Sequence, residues 1–250
     1  MADTLAWRRK YGVVTPSTNT VVQPEYDDMR PAGVTNHLAR MHIPDEPVKS
    51  DSDFDKLIER IDAALETAVD RVLTCRPDHL VLGISAESIW GGGLEPSRRI
   101  AARVKARAGD LPLTQAADAL PAAFRALGIR QKVGLLTPYF PTADKHLRTF
   151  FGEFGLDVVR AVHLSCPGPV EIGHVGHATL IDSLREIDGG DIEAIVQFGA
   201  NLPMVQIAAE AERWLKKPVL AVNAVTYWHA LRTGGIADQM TGFGRLLADF

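Results

Sequence analysis

The chain contains the same short pattern twice, and this repeat limits what it can fold into. Residues 11–16 (YGVVTP) recur in the second half as residues 133–138 (VGLLTP). Three further pairs follow in the same order: 38–43 with 159–164, 78–83 with 193–199, and 112–129 with 218–236. Four matches in one order favour a duplicated architecture over one larger sheet whose strands merely look alike. We therefore expect two similar halves with a cleft between them.

Strands and helices are predicted to alternate along both halves. Continuous apolar runs are typical of strands buried on both faces of a parallel sheet, and they lie at residues 11–15, 79–83, 133–137, 195–198 and 219–222. Patterns of helical period lie at residues 53–73, 95–108, 143–154, 178–187 and 205–215. Ser52 or Asp53 is expected to cap the first of these helices. The alternation predicts βαβ units and a doubly wound α/β fold.

Composition and charge exclude several classes of partner. The net charge is −4 and lysine and arginine form no run, so the sequence gives no sign of binding nucleic acid or an anionic membrane. No apolar stretch approaches the roughly 20 residues that span a bilayer, and residues 1–10 lack the apolar core of a signal peptide. We expect a cytoplasmic protein. The two cysteines, Cys75 and Cys166, have no CxxC spacing and are expected to be reduced.

Polar residues follow the predicted strands, where ligands of parallel sheets bind. After the first strand, Pro16 is followed by Ser17, Asn19 and Thr20, whose donors suit a carboxylate beside a helix N-terminus. A plain helix cap is the alternative explanation of this loop. The equivalent loop of the second half, residues 137–144, places Tyr139 where the first half has Ser17.

Two further loops complete the predicted pocket. Residues 83–93 bring Ser85, Glu87 and Trp90 between glycines, although an exposed glutamate on a loop is most often only solvated. Residues 199–203 combine Gly199, which allows a ligand to approach the backbone, with the amide of Asn201. Together the four loops predict a compact, polar site for a small carboxylate.

The sequence resembles the aspartate/glutamate/hydantoin racemase superfamily, and within it the branch of maleate cis-trans isomerases and arylmalonate decarboxylases. The resemblance covers nearly the whole chain and is carried by residues 16–20 (PSTNT), 137–139 (TPY), 201–202 (NL), 218–228 and 242–247 (GFGRLL). It implies two flavodoxin-like halves related by pseudo-twofold symmetry, facing one pocket that needs no metal or organic cofactor. It also implies a homo-oligomer.

The chain departs from this family at its nucleophiles. Racemases and maleate isomerases of this type place a cysteine after the third strand of each half, and those positions align with Gly83 and Gly199 here. Arylmalonate decarboxylases have glycine at the first position, followed by a Thr-Ser pair of which only Ser85 is present in this chain. They keep the second cysteine, which donates a proton, and this chain does not.

Another group must therefore move protons if the chain is a catalyst. Glu87 is the leading candidate, because a carboxylate beside Trp90 in a closed cleft would have a raised pKa suited to acid–base work. Tyr139 is a second candidate. Cys166, at the end of a predicted strand, could present a thiolate at the pocket rim or be a small apolar residue.

Two histidines are the last candidate site residues. His177 could face the cleft as an acid or anion contact, although a surface position near a helix start is the commoner case. With His174 it has a spacing of three, which suits a metal only with a third ligand, and the sequence shows none.

The combined hypothesis is a cofactor-independent enzyme acting at the carbon next to a carboxylate. Hydrogen bonds to the carboxylate and to any enolate oxygen are expected from Ser17, Asn19, Thr20, Ser85, Tyr139 and Asn201. Racemisation or isomerisation follows from the resemblance, but the missing cysteines argue against a mechanism with a thiol on each face. A decarboxylase, another lyase or a hydrolase that uses Glu87 fits the remaining residues about equally well. A binding protein without turnover is the alternative of another class. The predicted halves comprise residues 1–118 with 224–250, and residues 119–223.

Overall fold

Two parallel sheets with the same strand order form the centre of the molecule. The computed structural model describes residues 3–48, 50–86 and 91–250. The first sheet has the order β2-β1-β3-β4 and contains β1 (Arg9–Pro16), β2 (Val34–Met41), β3 (His79–Leu82) and β4 (Leu113–Thr114). The second has the order β6-β5-β7-β8 and contains β5 (Lys132–Thr137), β6 (Asp157–His163), β7 (Ala194–Gln197) and β8 (Val219–Ala221). The predicted duplication and α/β class are confirmed.

Helices flank both sheets. The first half contains α1 (Val22–Met29), α2 (Asp51–Leu73), α3 (Glu95–Ala108) and α4 (Ala116–Leu127). The rest of the chain contains α5 (Asp144–Gly152), α6 (His177–Ile187), α7 (Val205–Leu215), α8 (Val222–Thr233) and α9 (Arg245–Asp249). None of these helices is long and apolar enough to cross a membrane, within the residues that the structure describes.

The start of α2 differs from the prediction. Neither Ser52 nor Asp53 caps this helix, because both lie inside its first turn. Ser50 has extended backbone angles and its hydroxyl accepts a hydrogen bond from the Asp53 amide at 3.3 Å, which is the geometry of an N-cap.

The glycine repeated in β1 and β5 has the same packing role in both sheets. A Cβ atom on Gly12 would lie 3.0 Å from Val72 at the end of α2, and one on Gly134 would lie 2.1 Å from Ile187 at the end of α6. Both glycines therefore allow a helix end to pack directly on the strand backbone. This shared contact explains why glycine is the second residue of both the YGVVTP and the VGLLTP pattern.

Helix α8 packs against the first half. It contacts α1, α4, β3 and β4, and Tyr227 of α8 stacks on Tyr26 of α1 with ring centroids 4.6 Å apart. The Tyr227 hydroxyl also donates to Asn36 Oδ1 at 3.0 Å. This packing favours the assignment of residues 224–250 to the first half, although the exact boundaries remain a prediction.

Candidate active site

A cavity lies at the carboxyl ends of the central strands, between the two sheets. Its volume is about 70 Å³, whereas one water molecule needs roughly 10–15 Å³ by the same measure. The cavity therefore has room for a small organic molecule. The described residues that line it are Pro16, Thr18, Asn19, Ile43, Phe54, Leu57, Ile58, Ile61, Gly83, Ile84, Ser85, Ala86, Tyr139, Pro169, Ile172, Gly199, Ala200 and Asn201.

The loop between β1 and α1 contributes only some of its predicted donors. The oxygen Oδ1 of Asn19 accepts the amides of Val21 and Val22 at 3.0 and 2.9 Å, so this side chain caps the start of α1. Its Nδ2 group lies on a residue that lines the cavity and donates to none of the described residues. Asn19 therefore caps the helix with Oδ1, and its Nδ2 group has no described acceptor.

Two predicted donors of the same loop are directed elsewhere. The Ser17 hydroxyl donates to the Ile43 carbonyl at 3.1 Å and accepts the Ile43 amide at 3.0 Å, which ties the loop to the end of β2. Thr20 is exposed. Neither residue lines the cavity, whereas Pro16 does.

Ser85 and Tyr139 meet inside the cavity, although they come from different halves. Their hydroxyl oxygens lie 3.2 Å apart, and the Ala200 amide donates to Ser85 Oγ at 3.1 Å. Both side chains are buried, and the Tyr139 ring packs edge-on against Phe54 at 5.3 Å between centroids. The three loops therefore place two hydroxyl groups at a fixed position on the cavity wall.

Asn201 connects the halves through its side chain. Its Oδ1 accepts the Thr20 amide at 2.9 Å, and its Nδ2 donates to the Pro169 carbonyl at 2.8 Å and the Thr18 carbonyl at 3.4 Å. The side chain is thus occupied by backbone groups. Thr18, Ser85 and Asn201 line the cavity, and their backbone amides donate no hydrogen bond to a described residue.

The two glycines at the aligned cysteine positions are closely packed. A Cβ on Gly83 would lie 2.7 Å from Val22 Cγ1, and a Cβ on Gly199 would lie 2.4 Å from Pro138 Cδ. Gly199 also has φ +142°, which side chains rarely adopt. Neither position can receive a cysteine without movement of its neighbours.

The chain matches a known protein family over nearly its whole length. The arylmalonate decarboxylase family model matches residues 13–247. The chain belongs to the arylmalonate decarboxylase family. This membership confirms the resemblance found in the sequence.

Individual relatives of this family member are distant but full-length. A maleate isomerase of Alcaligenes faecalis is 22% identical over 253 residues, covering 96% of each chain. A mutant of the Nocardia farcinica maleate cis-trans isomerase, solved with a covalently bound succinylcysteine intermediate, superimposes with a TM-score of 0.86 at 22% identity, covering 97% of this chain and 99% of that one. A mutant of arylmalonate decarboxylase in its liganded form gives a TM-score of 0.76 at 23% identity, covering 95% and 98%. At these identities the structural matches show the shared fold.

The remaining predicted catalytic residues of this arylmalonate decarboxylase family member lie in different surroundings. Glu87 and Trp90 lie outside the described residues. Cys166 is buried. It lines a smaller cavity beside Tyr139 and does not line the main cavity. Burial and the nearby Glu171 raise the pKa of its thiol to about 11, which favours the small apolar residue over the thiolate among the two alternatives.

The histidines lie away from the cavity. His177 is the exposed first residue of α6, and His174 is exposed in the turn before it. Neither lines the cavity. Within the described part of the chain, no group of three His, Cys, Asp or Glu side chains is placed to hold a metal ion.

Sequence reasoning missed the apolar wall of the cavity. It is formed by Phe54, Leu57, Ile58 and Ile61 of α2, with Ile43 and Ile172 from neighbouring loops. The apolar stripe of α2 was visible in the sequence, but its period is the same whether a helix faces a core or a cavity. Among the described residues, the cavity has no charged side chain in its lining.

Proposed function

We propose that this chain is a cofactor-independent enzyme that acts at the carbon next to the carboxylate of a small organic acid, and that its reaction is a decarboxylation. The observation that supports this most is the arrangement of the cavity. Its polar side carries the Ser85–Tyr139 pair and three amides without a described partner, and its other side is apolar.

The polar side suits an anion that develops negative charge. Amide and hydroxyl donors fixed before the reaction need no reorganisation when an enolate forms, and removing one such donor costs roughly 2.7–4 kcal/mol in known enzymes. Here the Thr18 and Asn201 amides and the Asn19 Nδ2 group would hold the carboxylate that stays on the product. Ser85 would donate to the enolate oxygen.

Decarboxylation fits the available proton donor better than racemisation does. Racemisation and isomerisation start with a base or nucleophile, and the described lining contains neither a carboxylate, an imidazole nor a thiol. In decarboxylation the bond to the departing carboxylate breaks, CO₂ leaves, and the electron pair stays on the product as an enediolate. That carbanion then takes a proton from the Tyr139 hydroxyl, and water returns the proton to the phenolate.

The apolar wall indicates the form of the substrate. A malonate with an apolar substituent would place one carboxylate on the donors and the substituent among Phe54, Leu57 and Ile58. The second carboxylate would then lie in apolar surroundings that favour neutral CO₂ over an anion. Glu87, outside the described residues, is the alternative acid–base group.

The test is proton NMR of the purified protein with alkyl- and aryl-substituted malonates in deuterated buffer. We expect release of CO₂ and a monocarboxylic acid with one deuterium on the α-carbon. Tyr139→Phe should lose turnover by at least about a hundredfold while still binding the malonate. Tyr26→Phe removes a hydroxyl that is buried outside the cavity and should leave turnover unchanged.

Other outcomes would identify other functions. Deuterium exchange on a monocarboxylate without CO₂ release would identify a racemase or isomerase. Full activity in Tyr139→Phe with loss in Glu87→Gln would move the acid to Glu87. Binding without any reaction would favour a non-catalytic carboxylate-binding protein, which the packed Gly83 and Gly199 positions support.

A further inference from the structure

A carboxylate of the first half caps a helix of the second half. Glu25 lies on α1, and its Oε1 accepts the backbone amides of Met204 and Val205 at 3.0 and 2.9 Å. Met204 is the N-cap residue of α7 and Val205 is its first residue. A negative charge is favourable there because the first amides of a helix have no partner within it.

The second oxygen of Glu25 is linked to the cavity through Asn223. Its Oε2 accepts Asn223 Nδ2 at 2.6 Å, and the same Nδ2 donates to the Ala200 carbonyl at 3.0 Å. The Ala200 amide in turn donates to Ser85 Oγ. Glu25 is therefore joined to the Ser85–Tyr139 pair by hydrogen bonds to Asn223 and to both backbone groups of Ala200.

Asn223 can serve both acceptors in only one orientation. Its two Nδ2 protons point to the Glu25 carboxylate and the Ala200 carbonyl. If a proton on Glu25 Oε2 pointed at Asn223, it would face the Nδ2 group, which is also a donor. Rotating the Asn223 side-chain amide by 180° would then place its Oδ1 against the Ala200 carbonyl, where two acceptors would face each other. The arrangement therefore requires an acceptor at Glu25 Oε2.

We propose that Glu25 is a positioning residue whose carboxylate holds the connection from Gly199 to Asn201 in register with Ser85 and Tyr139. Protonation of Glu25 weakens the contacts to Asn223 and α7, and the Ala200 amide then shifts relative to Ser85. The effect on loop geometry follows from the contacts alone. The effect on catalysis rests on the proposed function.

The surroundings of Glu25 bring this titration close to neutral pH. Burial raises the pKa of Glu25 to about 7, although the hydrogen bonds from Asn223, Val205 and Met204 oppose the rise. Asp28 on the same helix raises it a little further, and the Tyr26 phenol lies beside it. From α7 and α8 the groups that act on Glu25 are the two amides and Asn223, with no charged side chain among the described residues.

The test is a titration of backbone amides by ¹⁵N NMR between pH 5.5 and 8.5, which needs no substrate. In the unmodified protein we expect the Ala200, Met204 and Val205 amides to shift together with a midpoint near 7. Glu25→Gln should abolish this common titration, whereas Asp28→Asn, the matched control, should keep it with a slightly lower midpoint.

Two results would overturn the proposal. The first is an Ala200 amide that does not follow the Met204 and Val205 amides, and the second is a common midpoint that survives in Glu25→Gln. If that variant does not fold, ¹³C labelling of glutamate side chains in the unmodified protein reports whether Glu25 shares the midpoint of the Ala200 amide.

The same variants separate this inference from the proposed function. For a substituted malonate, kcat/KM of the unmodified protein should fall below pH 7, and Glu25→Gln should be slower with no such fall. If no malonate reacts, the amide titration still decides the role of Glu25. If malonates react but the amides do not titrate together, the inference fails and the function stands.

Discussion

Replacing Glu25 by glutamine is predicted to remove a pH dependence from the stability of the fold. The pKa of Glu25 rises from 4.5 to about 7 on folding because the partly buried carboxylate loses contact with water. The folded chain therefore binds this proton more tightly than the unfolded chain does. The stabilisation is fully present below pH 4.5 and is lost as the pH rises through 7.

The size of the effect follows from the difference in pKa. At roughly 1.4 kcal/mol per pH unit, the full loss is about 3.5 kcal/mol. About 2.5 kcal/mol of it falls between pH 5 and pH 8, where the rest of the protein is easy to study. An uncharged glutamine at position 25 contributes no such term.

The assay is urea unfolding of both proteins at several pH values from 5 to 8. The free energy of unfolding of the unmodified protein, minus that of Glu25→Gln, should fall by about 2.5 kcal/mol across this range. Taking the difference cancels the titration of the other groups. Asp28→Asn, analysed in the same way, should show a much flatter difference, because Asp28 is exposed.

A flat difference for Glu25→Gln would mean that the carboxylate is solvated and that burial does not raise its pKa. A difference that grows with pH would mean that the three hydrogen bonds outweigh burial and lower the pKa of Glu25. Either result would refute the reasoning about this residue.

Two further predictions concern the packing around the cavity. Gly199→Ala should lower the free energy of unfolding by about 2–5 kcal/mol, since the new Cβ would lie 2.4 Å from Pro138 Cδ at φ +142°; Gly152→Ala, where a Cβ meets nothing within 4 Å, is the control and should cost nothing, as measured by urea unfolding. At pH 8 the buried Cys166 thiol, with a pKa of about 11, should react with iodoacetamide at least about a hundredfold more slowly than free cysteine, and mass spectrometry showing rapid alkylation of the folded protein would contradict its burial.

The duplicated fold could be predicted because local patterns determine it. Each half repeats a buried strand, a glycine on which a helix end packs, and a Thr-Pro turn, and these features depend on neighbouring residues in the sequence. The same reasoning located the four loops of the cavity, since ligands of parallel sheets bind beyond the strand ends. Fold class and the general position of the site were therefore accessible from the sequence.

The direction in which each side chain points could not be predicted from the sequence. Ser17 and Asn19 are two residues apart in one polar loop, yet Ser17 bonds to Ile43 while Asn19 lines the cavity. The loop conformation decides this, and composition does not record it. The predicted donors Ser17 and Thr20 therefore turned out to lie outside the cavity lining.

Contacts between the two halves could not be predicted from the sequence either. Glu25 was not a candidate, because nothing in residues 22–29 marks a carboxylate that reaches α7 and Asn223. In the same way, the helical pattern of residues 53–73 did not show that Phe54 and Leu57 form the cavity wall. Such roles depend on residues far apart in the chain.

We propose that the cavity, whose described lining is uncharged, binds a carboxylate through backbone amides. The most direct measurement is the change in ¹⁵N and ¹H shifts of the amides when an aryl-substituted malonate is added to the purified protein. The structure predicts that the Thr18, Ser85 and Asn201 amides move downfield together and saturate with one dissociation constant. Shifts confined to residues outside the cavity lining, with those three amides unmoved, would contradict it.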